Sequence, residues 1–239
     1  MYNRTEKDFQ HHLKGRGASK LSEKSGKQGI CYVVGAGQNF SLDFVPCKDD
    51  YVIAVDGGYQ YLEQAGIPID MAIGDFDSLQ FIPQHPNVIV LNAEKDDTDM
   101  RSAIWEGIRR GYASFHIYCG TGGRMDHTIA NIQLLAELSR EGRQGFLFGG
   151  DYVLTALTDG TMTFPEGVKG YISVFSHSDE AVGVFLEGLK YRLGGAVMRN
   201  TYPLGVSNEL IGVRSRISVE KGTLLIWGPI EAAAVAELE

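Results

Sequence analysis

Acidic residues crowd one stretch of this chain in a pattern that suits a hard cation. From Asp49 to Asp99 there are nine aspartates and two glutamates against one basic residue, Lys95. They gather as Asp56-Gly57-Gly58, as Gly74-Asp75-Phe76-Asp77-Ser78, and as Lys95-Asp96-Asp97-Thr98-Asp99. Two carboxylates about 4 Å apart repel by roughly 4 kcal/mol at an effective dielectric near 20, so such groups need solvent between them or a cation among them. Carboxylate oxygens suit Mg2+, which commonly takes one or two of them together with water and substrate phosphates. Asp75 and Asp77, with Phe76 between, reach one ion if Gly74 allows a tight turn, and Asp99 at a helix start is the third ligand. A lone D-x-D is usually a solvated turn, and glycosyltransferases use it too. Three acidic clusters at successive strand ends favour the metal.

The complementary element is Gly120-Thr121-Gly122-Gly123-Arg124-Met125-Asp126-His127. Gly120, Gly122 and Gly123 free backbone N–H groups to approach phosphates, and Arg124 adds a planar, permanently charged fork. Asp126 opens a helix whose positive end faces the same place. Beside a metal site, phosphate binding is a better reading of these glycines than packing alone. Other motifs fail: there is no G-x-x-x-x-G-K-[ST], no H-E-x-x-H, and no G-x-S-x-G around Ser207. Gly35-Ala36-Gly37-Gln38-Asn39-Phe40 begins like a dinucleotide fingerprint but lacks the third glycine, a weak signal.

These clusters meet only if the fold gathers them. Short apolar runs at 30–34, 51–55, 71–73, 88–91 and 115–119 read as strands covered on both faces. Helices are expected over 59–65, 99–110 and 126–139, the second with Met100, Ala103, Ile104, Gly107 and Ile108 on one face and Asp97 or Thr98 as cap. The third repeats the logic with Ile129, Ile132, Leu135 and Ala136. Strands alternating with helices imply parallel βαβ units, and in an open parallel sheet ligands bind outside the carboxyl ends of the strands. All four polar clusters follow strands, so they share one edge.

After about residue 145 the texture changes to short strands, at 152–157, 170–174, 182–185, 216–219 and 224–227, separated by Gly, Asp, Asn or Pro. This reads as an antiparallel β-sandwich domain, with a boundary near 142–150 and an Ala/Glu-rich helical tail at 231–239. The expected organisation is a flexible extension at 1–29, a Rossmann-like α/β domain at 30–145 and the sandwich at 146–239. His11-His12 in the extension reads as a solvated pair.

Composition narrows the class. The chain has 239 residues, 44% apolar and 22% charged, enough for a substantial core. Its net charge of −8 divides into a local +4 over residues 1–29 and −12 over the rest, an acidic body unsuited to nucleic acid. Three cysteines, none in a C-x-x-C pair, argue against a disulfide framework. With no signal-peptide core and no membrane-length apolar run, a cytoplasmic protein is expected.

Taken in order, Asp56-Gly57-Gly58, GDFDS at 74–78, D-x-T-D at 96–99, GGRMDH at 122–127 and Gly205-Val206-Ser207-Asn208-Glu209 resemble the thiamine pyrophosphokinase family. The match spans 30–227 with spacing intact, and five motifs in register are specific where each alone is not. The resemblance implies a Rossmann-like domain followed by a β-sandwich, a homodimer with sites at the subunit interface, and transfer of the terminal pyrophosphoryl group of ATP to the hydroxyl of thiamine. Carried over residue by residue, Asp75, Asp77 and Asp99 match the Mg2+-binding carboxylates, and Arg124 and Asp126 the transfer site. Asp56, Gly57, Gly74, Ser78, Asp96, Thr98, Gly122 and Gly123 lie in the same motifs. Ser207 and Asn208 match the thiamine-binding stretch, where they would fix ring orientation by hydrogen bonds. Trp227 matches an aromatic that stacks on the pyrimidine; its alternative is a core aromatic. Two other functions stay open: a pyrophosphokinase for a hydroxymethylpterin, and a sensor that binds Mg·ATP without turnover.

Overall fold

The apolar runs of the first half form strands because each is too short for a helix and is bounded by glycine, aspartate, asparagine or serine. A computed structural model describes residues 27–92, 94 and 96–238, so the expected extension lies outside the described residues up to position 26. Strand β1 (Lys27–Val34) starts three residues before its expected position. It is followed by β2 (Tyr51–Val55), α1 (Gly58–Ala65), β3 (Met71–Gly74), β4 (Val88–Val90), α2 (Asp99–Arg109), β5 (Tyr112–Tyr118), α3 (Met125–Arg140) and β6 (Gln144–Phe148). The second half contributes β7 (Tyr152–Thr158), β8 (Thr161–Phe164), β9 (Lys169–Ser176), β10 (Glu180–Glu187) and β11 (Leu193–Arg199). It ends with β12 (Gly205–Ile211), β13 (Ser215–Lys221), β14 (Thr223–Pro229), α4 (Glu231–Val235) and β15 (Glu237–Leu238).

Ten strands make one sheet, in the order β12-β9-β14-β7-β6-β5-β1-β2-β3-β4. From β6 to β4 every neighbour is parallel; β6 and β7 pair antiparallel, as do all pairs out to β12. The other five strands form the second layer of the sandwich, β11-β10-β13-β8-β15. The change of texture near 142–150 is therefore not a linker. Strand β6 occupies it, and what changes there is strand direction within a continuous sheet.

Helices α2 and α3 cover one face of the parallel half, over Val33, Ile53, Ile73, Phe115, Ile117 and Leu147. Helix α1 and the segment before β2 cover the other face, and the sandwich interior holds Phe164, Ile172, Val174, Leu186, Ile217 and Leu224. Each fully buried large side chain contributes roughly 1.5–3 kcal/mol. Helix α2 buries Met100, Ala103, Ile104 and Gly107 as its spacing predicts, and the Thr98 hydroxyl caps it by accepting from the Arg101 N–H at 3.2 Å. Helix α3 is rotated relative to its expected stripe: Asn131, Leu134, Leu135, Ala136 and Leu138 are buried, while Ile129 is exposed. The tail is also different. Its helix stops at Val235, and β15 pairs with β8, because an open sheet edge offers hydrogen bonds that a short Ala/Glu helix lacks.

A candidate active site at the carboxyl edge of the parallel strands

The loops leaving β1, β2, β3 and β5, with the N-termini of α2 and α3, enclose a cleft of about 690 Å³. Asp56, Asp75, Asp77, Ser78, Thr98, Asp99, Gly120, Gly122, Gly123 and Arg124 all line it. Asp56, Asp75 and Asp99 each bring a carboxylate oxygen to within 4.8 Å of the others. The expected ligand trio is thus brought together only in part: Asp77 is on the wall but outside this group.

The separation of Asp75 from Asp77 has a local cause. Phe76 is 2% exposed and its ring belongs to the core beneath the cleft, which fixes the point between the two aspartates. Its backbone is left-handed, φ 58°, and its N–H donates to Asp56 Oδ1 at 3.3 Å. Asp75 thereby turns toward Asp56, and the Asp77 N–H donates back to Asp75 Oδ1 at 3.1 Å while the Asp77 side chain stays exposed. Gly74 makes this possible. A Cβ there would lie 1.9 Å from Asp56 Oδ1. Asp56 (φ 49°) and Cys119 (φ 52°) are left-handed as well, so three strand ends around one cleft carry backbone strain of the kind that accumulates at functional sites. Burial, followed by the charges of Asp99 and Asp75, pushes the Asp56 carboxyl up to about 7. Those are the conditions a divalent cation relieves.

Opposite the carboxylates lies a glycine-rich wall. The Gly37 N–H donates to the Cys119 carbonyl at 2.7 Å and the Gln38 N–H to the Thr121 carbonyl at 3.0 Å, so the loop after β1 is laced to the loop after β5. A Cβ on Gly37 would sit 2.4 Å from the Cys119 oxygen. Residues 35–38 therefore line the cleft, although their sequence is a failed fingerprint; their position at a strand's carboxyl end was the usable signal. Asn131 was also missed. It is 5% exposed, and its Nδ2 donates to the Gly120 carbonyl at 2.7 Å, anchoring the glycine loop to α3. At the mouth, Arg124 grips Asp126 with two hydrogen bonds, of 2.6 and 3.2 Å, both side chains exposed. That contact holds the Asp126 carboxyl below its ordinary range. Gly57, Gly74, Asp96 and Asp126 are outside the lining of the cleft.

The remaining expected residues are elsewhere. Ser207 and Asn208 belong to β12, five strands from β5, and Trp227 to β14, three strands away. At about 4.8 Å per strand these are separations of roughly 24 and 14 Å. Ser207 is exposed and left-handed, φ 57°, with its N–H donating to Ser173 Oγ at 3.1 Å. Trp227 is half-buried and stacks on Tyr152, ring centroids 5.7 Å apart.

Two family models overlap most of the cleft and of this distant face. Residues 46–147 match the thiamin pyrophosphokinase catalytic domain and 161–224 the thiamin pyrophosphokinase vitamin B1 binding domain. Thiamine pyrophosphokinase of Bacillus subtilis (strain 168) is 31% identical over 206 residues, which cover 82% of this chain and 96% of that one. The chain belongs to the thiamin pyrophosphokinase family. Crystal structures agree: the Bacillus subtilis enzyme superposes with TM-score 0.73 at 29% identity, covering 84% of this chain and 98% of that one. Thiamin pyrophosphokinase from Geobacillus thermodenitrificans gives 0.70 at 29% identity, covering 84% and 97%. All the cleft carboxylates, Arg124 and Asp126 fall within the catalytic match, and Ser207 and Asn208 within the vitamin B1 match. Trp227 lies three residues beyond it.

Proposed function

We propose that the cleft binds the triphosphate of ATP with a divalent ion, Mg2+, and that its residues direct the thiamine hydroxyl in line onto the β-phosphorus. Membership of the family makes the overall reaction ATP-dependent pyrophosphoryl transfer to thiamine. In it an oxygen–phosphorus bond forms at the thiamine hydroxyl, which loses its proton, and the bond from the β-phosphorus to the α,β-bridging oxygen breaks to release AMP. One observation carries the reading of the site: three carboxylates facing a glycine-rich wall in one cleft at a parallel sheet's carboxyl edge.

Asp56, Asp75 and Asp99 are the residues that would hold the ion, with Asp77 a fourth carboxylate on the same wall. The bound ion supplies charge neutralisation at the phosphates. The chain's own part is positioning, which dominates phosphoryl transfer. Backbone N–H groups at Gly122 and Gly123, the positive end of α3 and the Arg124 fork orient the phosphates. Asn131 keeps the glycine loop in shape. Trp227 and the exposed Ser207 receive thiamine, the indole face holding a flat cation with about 0.5–2 kcal/mol.

The separation of roughly 24 Å between β12 and β5 supports a homodimer in which one copy's antiparallel face meets its partner's cleft. The surfaces involved are apolar enough for it. Met125 and Ile129 are 70% and 53% exposed beside the cleft, and Tyr171 and Ile211 are 66% and 44% exposed on the antiparallel face.

Incubation with Mg·ATP and thiamine, followed by identification of the nucleotide, tests the reaction. AMP with thiamine diphosphate supports this reading, ADP indicates single-phosphate transfer, and unchanged ATP a sensor. A substrate panel with a hydroxymethylpterin separates that acceptor. Mixing Asp75→Asn with Trp227→Ala protein at limiting thiamine tests the shared site: about a quarter of native activity should return, since one site in each mixed dimer is intact. No recovery would place both residues in one chain's site.

A further inference from the structure

We propose that the chain carries a second ligand site, on the face of the sheet opposite Trp227. It is a cavity floored by aromatic side chains of β1, β5 and β6, and it takes a flat, cationic heteroaromatic ring with a hydrogen-bonding substituent and no phosphate. Such a site is separate from the cleft and from the chemistry proposed there.

Register places it. Tyr32 pairs with His116 and His116 with Phe146, so Tyr32, His116, Tyr118 and Phe148, directly paired or two residues apart, point to one face. Ile117, Leu147, Leu154 and Trp227 pair in succession and point to the other. Over the first face, residues from 41–45, 149–150 and 230–234 enclose a cavity of about 310 Å³, a size that suits a small ligand. Tyr32, Asp43, Phe44, His116, Tyr118 and Phe148 line it, and it shares no lining residue with the cleft.

The rings are fixed before any ligand arrives. Tyr32 stacks on Phe44 with centroids 4.2 Å apart, Tyr118 stacks on Phe148 at 4.5 Å, and Phe44 lies 4.8 Å from Tyr118. Rings locked in this way lose little freedom when a ligand binds. Their polar atoms are another matter. Tyr32 and Tyr118 are 7% and 8% exposed, yet among the described residues no group hydrogen-bonds either hydroxyl or a ring nitrogen of His116. Both hydroxyls keep some accessible surface, and the cavity is what they reach. Burial lowers the His116 pKa to about 4, so near pH 7 its imidazole is neutral and offers one donor and one acceptor. Two hydroxyls and an imidazole therefore await a polar substituent. The lining also sets the charge. It contains the Asp43 carboxylate and no lysine or arginine, so a phosphate finds no partner there, whereas aromatic rings beside a carboxylate favour a cation.

The test uses three probes that share one ring and differ in charge, 1-methylnicotinamide, nicotinamide and nicotinate, titrated calorimetrically into the full chain. The cation should bind with a dissociation constant on the order of 1 mM, nicotinamide about threefold more weakly, and nicotinate not measurably. His116→Phe and Tyr118→Phe should each weaken the cation about fivefold. Ala234→Trp, at an exposed position on the rim, should abolish binding by filling the cavity. Trp227→Ala and saturating Mg·ATP should change nothing. No binding of the cation, or nicotinate binding as tightly, overturns the site, as does binding that survives Ala234→Trp. Loss of binding in Trp227→Ala would move the ligand to the opposite face, and displacement by ATP would move it to the cleft; either overturns the proposal. A melt accompanies each variant. Should His116→Phe or Tyr118→Phe fail to fold, Ala234→Trp decides, because an exposed alanine has little packing to lose.

Discussion

The two halves of the ten-stranded sheet present their candidate functional residues in different ways. In the parallel half the central strands are buried on both faces, and the cleft proposed for the chemistry lies beyond their carboxyl ends, on loops held by glycines and by left-handed Asp56, Phe76 and Cys119. In the antiparallel half one face packs into the sandwich, and the other presents Trp227, Tyr171 and Glu209 directly from strands. A parallel sheet has no free face to offer, so its site gathers at an edge; an antiparallel sheet can dedicate one surface to recognition. Damage to the first half should therefore act on turnover, and damage to the second on the affinity for one substrate.

The largest effect that would sharpen this contrast is Asp75→Asn. Turnover should fall by about 10³-fold or more, with a near-native melting temperature, because several kcal/mol of transition-state charge stabilisation is lost while the packing is untouched. Near-native activity at saturating Mg2+ would break the metal assignment. Gly74→Ala comes next. Its Cβ would collide with the Asp56 carboxylate, so activity should collapse together with about 1–3 kcal/mol of stability, measurable by denaturant titration. Trp227→Ala should raise the thiamine KM by about tenfold and leave that for ATP alone; an equal change in both would erase the distinction between the halves.

The smallest effect concerns His116, on the sheet face away from α2 and α3, its ring edge-on to Tyr32 and Phe146 at 5.5 Å. Burial lowers its pKa to about 4, below the roughly 6.5 of an unfolded chain. The unfolded state thus binds the extra proton between these values. Stability should be fully present above pH 6.5 and decline by up to about 1.4 kcal/mol per pH unit as pH falls toward 4. His116→Phe should flatten that slope in melts and leave kinetics at neutral pH unchanged.

Much of the parallel half was legible because its strands are apolar runs ended by polar clusters, and β2 lies where those runs predict. Strands β11 and β12 were harder to see. Gly194-Gly195 dilutes one, and Ser207-Asn208-Glu209 gives the other no clear alternation. The acidic clusters were legible as residues that would meet, yet which carboxylates group together depends on the turn at Phe76, a tertiary consequence of burying its ring. The inward bonding of Asn208 was equally invisible, since its partner Tyr191 is 17 residues away.

The sheet's continuity sets how catalysis is organised. Strands β6 and β7 join the halves through an antiparallel pairing inside one hydrogen-bonded layer, so the molecule has no hinge there on which one half could fold over the other. Each chain is then a fixed spacing bar that holds the end proposed for phosphates apart from the flank proposed for the vitamin. If the proposed homodimer builds the site, dilution below its dissociation constant should silence the protein while both of its surfaces remain intact.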